Sequence, residues 1–228
     1  MLRLKKLYSL AKKLRETTNL GFLKKEEHHM KRHSLILKIL FFCGGIFIIT
    51  VGKGFIIMAN LGTDPWNVFH LGIARYIPLT VGQVVQAVGA VMLVIGWALK
   101  IKPTLGTFAN MYLFGFFLDF VLERNFIKPP QNLTVAWLYL ILGTLICGVG
   151  FGIYLNGKLG AGPRDSFMLG VAKVTGKSPG TIRTFMEGTA VFVGWLLGGP
   201  VGLGTIVYTA LVGTVMQWTL DHVKLSKI

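Results

Sequence analysis

The sequence predicts an all-α membrane protein: a polytopic helix bundle of two inverted repeats, each with three spans and a short half-helix. Three observations predict this class: an apolar composition, an internal repeat, and an odd number of long apolar stretches in each copy. Of 228 residues, 53% are hydrophobic and only 14% are charged, whereas soluble domains carry about 25% charged residues. A large soluble domain is therefore excluded. Cys43 and Cys147 are the only two cysteines, which excludes a disulfide scaffold.

Residues 1–33 form a basic tail with ten Lys or Arg against three Glu. Apolar residues recur there at helical spacing from Leu4 to Leu14, which indicates an amphipathic helix. Such a helix is attracted to anionic lipids of the inner leaflet, so we expect a cytoplasmic, membrane-bound tail and no nucleic-acid partner.

The rest of the chain repeats itself at an offset of 98 residues. Pairing residues 45–122 with residues 143–220 needs no gap and gives 22 identities in 78 pairs. The longest shared signature is LGxxPxxxFxLGxA, at 61–74 and at 159–172. We therefore divide the chain into a tail at 1–33, membrane repeat 1 at 34–128 and membrane repeat 2 at 129–228.

Each repeat contains three apolar stretches that are long enough to span a bilayer. They are Leu35–Ala59, Val81–Leu99, Thr104–Leu122, Leu133–Asn156, Gly180–Leu197 and Leu203–Leu220. Since three is odd, the second repeat should be inserted upside down relative to the first. With both termini cytoplasmic, 20 of the 24 Lys and Arg fall on the inner side, as the positive-inside rule expects.

A short apolar segment lies between the first and second spans of each repeat, at 66–77 and at 164–175. Asp64 is a predicted N-cap before Pro65, while Gly162 precedes Pro163 and Asp165 lies in a first helical turn. Two interpretations stay open. The segments either re-enter the membrane and meet near its middle, which we favour, or lie flat on the two leaflets.

Ionisable side chains at membrane depth give the candidate polar or transport site. Glu187 lies about seven residues inside the fifth span, and Arg183 is four residues earlier on the same helical face. A structural Arg–Glu pair and a proton or cation site both fit this pattern. The candidate residues are Asp64, Pro65, Asn67, Pro163, Asp165, Arg183 and Glu187. Lys53 is expected to extend to the outer interface.

The strings ANLGTDPWNVFHLGIA at 59–74 and LGAGPRDSFMLGVA at 159–172 resemble the YczE/YyaS/YitT family of bacterial multipass membrane proteins. The resemblance covers about residues 34–222 and is to the shorter YczE type, which lacks a soluble C-terminal domain. It implies a multipass protein of the bacterial plasma membrane, in a family whose members mostly lack an assigned activity.

Two functions fit these features. The first is a small secondary transporter or permease of a small molecule or ion, because inverted halves with broken short helices are a recurring plan for alternating access. The alternative is a non-transporting accessory or regulatory factor that acts through its cytoplasmic face. Catalytic motifs such as HExxH, GxSxG and the P-loop are lacking, so we expect no enzyme activity, cofactor or metal. The sequence leaves a homo-oligomer open.

Overall fold

The computed structural model describes residues 35–124 and 126–223 of the chain. The predicted basic tail at 1–33 lies outside these residues. The described part is built from eight α-helices joined by short connections. They are α1 (Leu35–Ala59), α2 (Pro65–Ala74), α3 (Val81–Ala98), α4 (Leu105–Glu123), α5 (Leu133–Asn156), α6 (Pro163–Thr175), α7 (Pro179–Leu196) and α8 (Leu203–His222).

Five of the eight helices are long and apolar enough to cross a membrane: α1, α3, α4, α5 and α8. Large apolar side chains cover their surface, and Leu105 and Val94 are 89% and 68% exposed. Exposed apolar area of this extent suits a lipid environment, so the protein is a helical membrane bundle. The sixth predicted span is α7, an 18-residue helix that falls outside the five because Arg183, Glu187 and several threonines make it less apolar.

The two short helices begin where the sequence predicts. The Asp64 carboxylate accepts a hydrogen bond from the Asn67 backbone N–H, and Pro65 is in the first turn of α2. In α6, Gly162 is the N-cap, Pro163 follows, and Asp165 lies in the first turn. Both predicted helix starts are confirmed.

Each short helix packs against a long helix of the other repeat. Pro163 lies against Gly89, since a Cβ atom at Gly89 would be 3.5 Å from Pro163 Cγ. Gly89 is the ninth residue of the 18-residue α3, so α6 begins level with the middle of that helix. Farther along, Phe167 faces Gly96. In the other half, Phe69 of α2 faces Gly194 of α7. This is the same contact with each residue replaced by its equivalent in the other repeat.

Glycine contacts also join α1 to α5 at the centre of the bundle. A Cβ atom at Gly52 would lie 2.8 Å from the Cys147 backbone nitrogen, and one at Gly150 would lie 2.8 Å from the Ile49 nitrogen. The Cys147 thiol donates to the Ile49 carbonyl oxygen at 3.4 Å. These contacts again exchange equivalent positions of the two repeats, because 49 and 147, like 52 and 150, are 98 residues apart.

The turns that lead into the short helices are fixed by close contacts with α4 and α8. Gly62 and Gly160 have φ angles of 104° and 148°, a region that favours glycine. A Cβ atom at Gly62 would lie 2.8 Å from Thr205 Oγ1, and the Gly204 N–H donates to the Leu61 carbonyl oxygen at 2.8 Å. A side chain at either position would displace the short helix that follows.

Candidate functional site

The N-termini of α2 and α6 meet inside the bundle. The Arg164 guanidinium carbon lies 5.8 Å from the centre of the Trp66 ring, within the range of a cation–π interaction. Trp66 and Arg164 are equivalent residues of the two repeats, since they are 98 positions apart. The duplicated short helices therefore contact each other through the same position in each copy.

A buried ion pair lies beside this contact. Lys53 Nζ on α1 is 2.7 Å from Asp64 Oδ2, and the two side chains are only 5% and 4% exposed. The Asp64 carboxylate also accepts from the Thr63 hydroxyl at 3.4 Å. The expectation that Lys53 extends to the outer interface is wrong. The chain reverses after α1 and brings Asp64 back beside Lys53, so the ammonium group is neutralised inside the protein.

One turn of α2 carries three buried polar atoms without a hydrogen-bond partner among the described residues. They are Trp66 Nε1, Asn67 Nδ2 and His70 Nδ1. The three residues are 8%, 1% and 7% exposed. Buried polar atoms are usually paired, because an unmade hydrogen bond costs about 1–3 kcal/mol. These three atoms are thus candidates for contact with a ligand.

All three residues line a cavity of about 120 Å³ between the repeats. Its lining also includes the polar residues Lys53, Asn110, Arg164 and Asp165, together with Pro163. Seven apolar residues line it as well: Ile49, Val85, Val88, Met92, Met111, Phe114 and Phe151. The cavity therefore offers both hydrogen-bond donors and apolar side chains.

A second cavity, of about 330 Å³, shares six lining residues with the first: Lys53, Trp66, Phe151, Tyr154, Arg164 and Asp165. It extends between α7 and α8, where Glu187 and Gly213 are part of its lining. The remaining wall consists of Asp64, Pro65, Leu155, Arg183, Tyr208, Thr209, Val212 and Met216. The two cavities adjoin at the shared residues, and we call them together the passage.

Two further ion pairs line the passage, and they differ in closeness. Arg183 Nε and Glu187 Oε1 are 2.9 Å apart, with the side chains 55% and 23% exposed. The predicted pairing of these residues on one face of α7 is confirmed. Arg164 Nε and Asp165 Oδ1 are 3.9 Å apart, beyond hydrogen-bonding distance. The Arg164 guanidinium therefore keeps donors that Asp165 does not use.

The seven residues of the predicted site all line one of the two cavities. Asn67 and Pro163 lie at the first, the second is lined by Asp64, Pro65, Arg183 and Glu187, and Asp165 lies at both. Sequence reasoning treated Lys53 as an interface residue and only a weak site candidate, and it missed three other residues of the cavities: Trp66, His70 and Arg164. A usable signal existed for these three, because they belong to the short helices that were already singled out.

The two repeats pack unequally around the passage. In repeat 1, the Asp119 carboxylate of α4 accepts from the Thr80 hydroxyl at 2.5 Å and from the Gly82 N–H at 2.6 Å. A Cβ atom at Gly82 would clash with the Gly115 carbonyl. We call this junction, formed by Thr80, Gly82, Gly115 and Asp119, the α3–α4 clasp.

The equivalent residues of repeat 2 do not form such a clasp. Gly213 corresponds to Gly115, yet no described residue lies within 4 Å of a Cβ atom built there, apart from its own helix backbone and chain neighbours. Gly180 corresponds to Gly82 and would meet only Ser178 Oγ, at 3.9 Å. Gln217 corresponds to Asp119, and its side chain donates instead to Asp221 at 3.1 Å. Where α3 and α4 are joined, α7 and α8 stand apart.

Comparison with known proteins agrees with this picture of a membrane bundle. Residues 36–221 match a family of unknown function, DUF6198. The chain is 36% identical over 196 residues to the uncharacterized membrane protein YczE of Bacillus subtilis, covering 84% of this chain and 89% of YczE. It is 32% identical over 185 residues to an uncharacterized protein of Haemophilus influenzae, covering 81% and 83% of the two chains.

Similarity to the uncharacterized protein YyaS of Bacillus subtilis is lower, 24% over 185 residues, with 79% of this chain and 91% of YyaS covered. No solved structure matches the chain. The family match spans both repeats and every helix that lines the two cavities. The chain therefore belongs to the DUF6198 family and is a membrane protein of the YczE type.

Proposed function

We propose that the protein is a small secondary transporter that works by alternating access, with its two repeats inserted in opposite orientations. The observation that carries the proposal is the unequal packing of equivalent helices around one polar passage: the α3–α4 clasp is formed, whereas α7 and α8 are separated. A transporter in one of its two end states has this property, because one side of the binding site is closed and the other is accessible.

Reciprocal contacts support the inverted arrangement. The Gly96–Phe167 contact corresponds to Gly194–Phe69 when each residue is replaced by its repeat equivalent. Exchange of this kind is what a two-fold axis between the repeats produces. Because each repeat contributes three long helices, such an axis lies in the membrane plane if α7 spans the bilayer with the other five.

With the N-terminus cytoplasmic, as the loop charges predict, the clasp lies on the outer side and the passage opens inward. The opposite state follows from exchanging the conformations of the repeats. Gly180 then packs against Gly213, and the Gln217 side-chain oxygen accepts from the Gly180 N–H and the Ser178 hydroxyl, as Asp119 does for its partners. The α3–α4 clasp opens in that state.

Paired cysteines test the alternation without a known substrate. In a chain whose native cysteines are replaced by alanine, Thr80→Cys with Asp119→Cys should be joined readily by a short thiol-specific cross-linker. Ser178→Cys with Gln217→Cys should be joined in a fraction of molecules, and either link should lower the yield of the other. A second pair that never reacts, or both links in one molecule, contradicts alternating access.

Accessibility of two exposed equivalent residues tests the inverted insertion separately. Tyr76 follows the end of α2, and Val174 lies in the last turn of α6, 98 positions later. Their side chains are 70% and 64% exposed. Tyr76→Cys and Val174→Cys should react with a membrane-impermeant maleimide from opposite faces of the membrane. Labelling from the same face refutes the inverted arrangement.

Flux measurements separate transport from the accessory role. In proteoliposomes, Glu187→Gln or Asp165→Asn should abolish a proton- or ion-driven flux while the protein remains folded, and deletion of residues 1–29 should leave the flux intact. Silent substitutions, combined with loss of the cellular phenotype on deletion of the tail, favour an accessory factor that acts through its cytoplasmic face.

A further inference from the structure

We infer that the 120 Å³ cavity binds a small monocarboxylate with an apolar body of about six carbon atoms, held by its carboxylate at Trp66, Asn67 and Arg164. The role of this ligand as cargo rests on the proposed transport function. Its binding depends only on the cavity.

Most of the unpaired polar groups at the cavity are donors, although Asn110 and Asp165 also line it. The Trp66 indole N–H can only donate, and Asn67 Nδ2 and the Arg164 guanidinium carry no acceptor. Two of these groups are buried and without a partner among the described residues, and the third holds Asp165 only at 3.9 Å. His70 Nδ1 donates or accepts according to tautomer, so it is compatible with such a ligand. A group with several acceptor oxygens satisfies this set.

The three cations and three carboxylates that line the two cavities balance, and the spacing of their pairs leaves one guanidinium available to an anion. The Asp64 carboxylate is bound to Lys53 at 2.7 Å and the Glu187 carboxylate to Arg183 at 2.9 Å. Arg164 is the cation whose carboxylate partner is more distant, and its side chain is 34% exposed. An added carboxylate can therefore bind the guanidinium without displacing either close pair.

The starts of the two short helices differ in a way that fits the same ligand. In repeat 1, the Asp64 carboxylate caps α2. In repeat 2 the equivalent residue is Gly162, and α6 begins without a side-chain cap. Helix N-termini stabilise negative charge. Asp165 already places one carboxylate in the first turn of α6. A ligand carboxylate beside Gly162 and Arg164, which both line the cavity, supplies the N-cap acceptor that repeat 2 lacks.

The apolar side chains of the cavity set the body of the ligand. Val88, Met92, Met111 and Phe114 line the same cavity as the three donors. An apolar cavity of roughly 150 Å³ holds benzene, so a volume of about 120 Å³ suits a body of six carbon atoms at most. The carboxylate then lies at Trp66 and Arg164, which also line the second cavity. A sugar or nucleotide would leave its hydroxyl groups unpaired against these apolar side chains.

Thermal stability and calorimetry of the purified full-length protein in detergent test the inference with four probes: benzoate, hexanoate, benzamide and benzylamine. Benzoate or hexanoate should bind saturably and raise the melting temperature. Benzamide should bind at least tenfold more weakly than benzoate, because it carries no negative charge and replaces one acceptor oxygen by an NH₂ donor, so it cannot form a bidentate ion pair with Arg164. Benzylamine, a cation at neutral pH, should not bind.

Matched substitutions locate the binding. Asn67→Asp exchanges a donor for a carboxylate of the same shape and should weaken benzoate binding at least tenfold. Asn132→Asp makes the same change at the exposed N-cap of α5, where Asp caps equally well, and should leave binding unchanged. If Asn67→Asp fails to fold, Trp66→Phe removes the indole N–H donor and keeps an aromatic ring at this position. Trp97→Phe, on the exposed face of α3, is the matched control.

Three results overturn the inference. They are tighter binding of benzylamine than of benzoate, benzoate binding that neither Asn67→Asp nor Trp66→Phe weakens, and no saturable binding of benzoate or hexanoate to the folded protein. Each of them leaves the cross-linking test of alternating access intact, so the ligand assignment and the transport proposal fail separately.

Discussion

Removal of the Lys53 ammonium should destabilise the protein far more than removal of the whole ion pair. At the observed 2.7 Å, two unit charges attract by about 6 kcal/mol for an effective dielectric constant of about 20. Desolvation of both groups offsets much of this attraction. Lys53→Met, however, keeps the desolvation cost of Asp64 and loses the attraction, so the variant should lose about 3–5 kcal/mol of unfolding free energy.

The double variant Lys53→Met/Asp64→Asn should recover most of that loss. Asn keeps the shape of Asp and its ability to cap α2, and Met fills the volume of the lysine stem. We expect a cost of about 1 kcal/mol or less relative to the native protein, and therefore a coupling energy of about 3 kcal/mol in a double-mutant cycle.

Equilibrium unfolding in mixed micelles with increasing SDS provides the free energies. Lys102→Met, at an exposed position, controls for the loss of a positive charge in the chain and should shift the unfolding free energy by less than about 0.5 kcal/mol. If Lys53→Met alone costs less than about 1 kcal/mol, or if the double variant is the least stable of the set, Lys53 and Asp64 do not form a buried pair.

Two further predictions concern α7 and its counterpart. Gly82→Ala should cost about 1–3 kcal/mol of unfolding free energy, because its new methyl group meets the Gly115 carbonyl oxygen. Gly180→Ala, at the equivalent open position of α7, should leave the unfolding free energy nearly unchanged. Equal costs of the two substitutions contradict the unequal packing. Arg183→Gln should lower the unfolding free energy by less than about 1 kcal/mol in the same assay, because the ion pair of Arg183 with Glu187 is partly exposed. A loss of more than about 3 kcal/mol of unfolding free energy would show that this pair is desolvated.

Local sequence signals predicted the helices well, because their causes are local. Asp64 before Pro65 and Gly162 before Pro163 mark the starts of α2 and α6, and both are read from neighbouring residues. The i to i+4 spacing of Arg183 and Glu187 likewise determines their contact. These features need no knowledge of the tertiary structure.

The environment of Lys53 could not be read in the same way. Its burial depends on the reversal of the chain after α1, which returns Asp64 to the level of a residue 11 positions earlier. The Trp66–Arg164 contact likewise depends on how two segments 98 positions apart pack together. The sequence shows that the segments are equivalent, but equivalence alone does not place them against each other.

The unequal packing of the repeats is also invisible in the sequence, since Gly82 and Gly180, like Gly115 and Gly213, are identical pairs. The same small residues are in close contact in one repeat and open in the other. The proposed alternating access requires identical glycines at these positions, because each repeat would have to adopt both packings.

The repeats differ at most of the residues that line the cavity, where identity would give a symmetric site. Trp66 is matched by Arg164 and Asn67 by Asp165. On the long helices, Gly89 of the first cavity is matched by Glu187 of the second. Several turns and glycine contacts keep their residues in both halves, whereas these cavity positions are unlike. In the proposed transporter, an exchange of conformations between the repeats would move the same cavity side chains from one access route to the other, so that a single asymmetric site would serve both sides of the membrane.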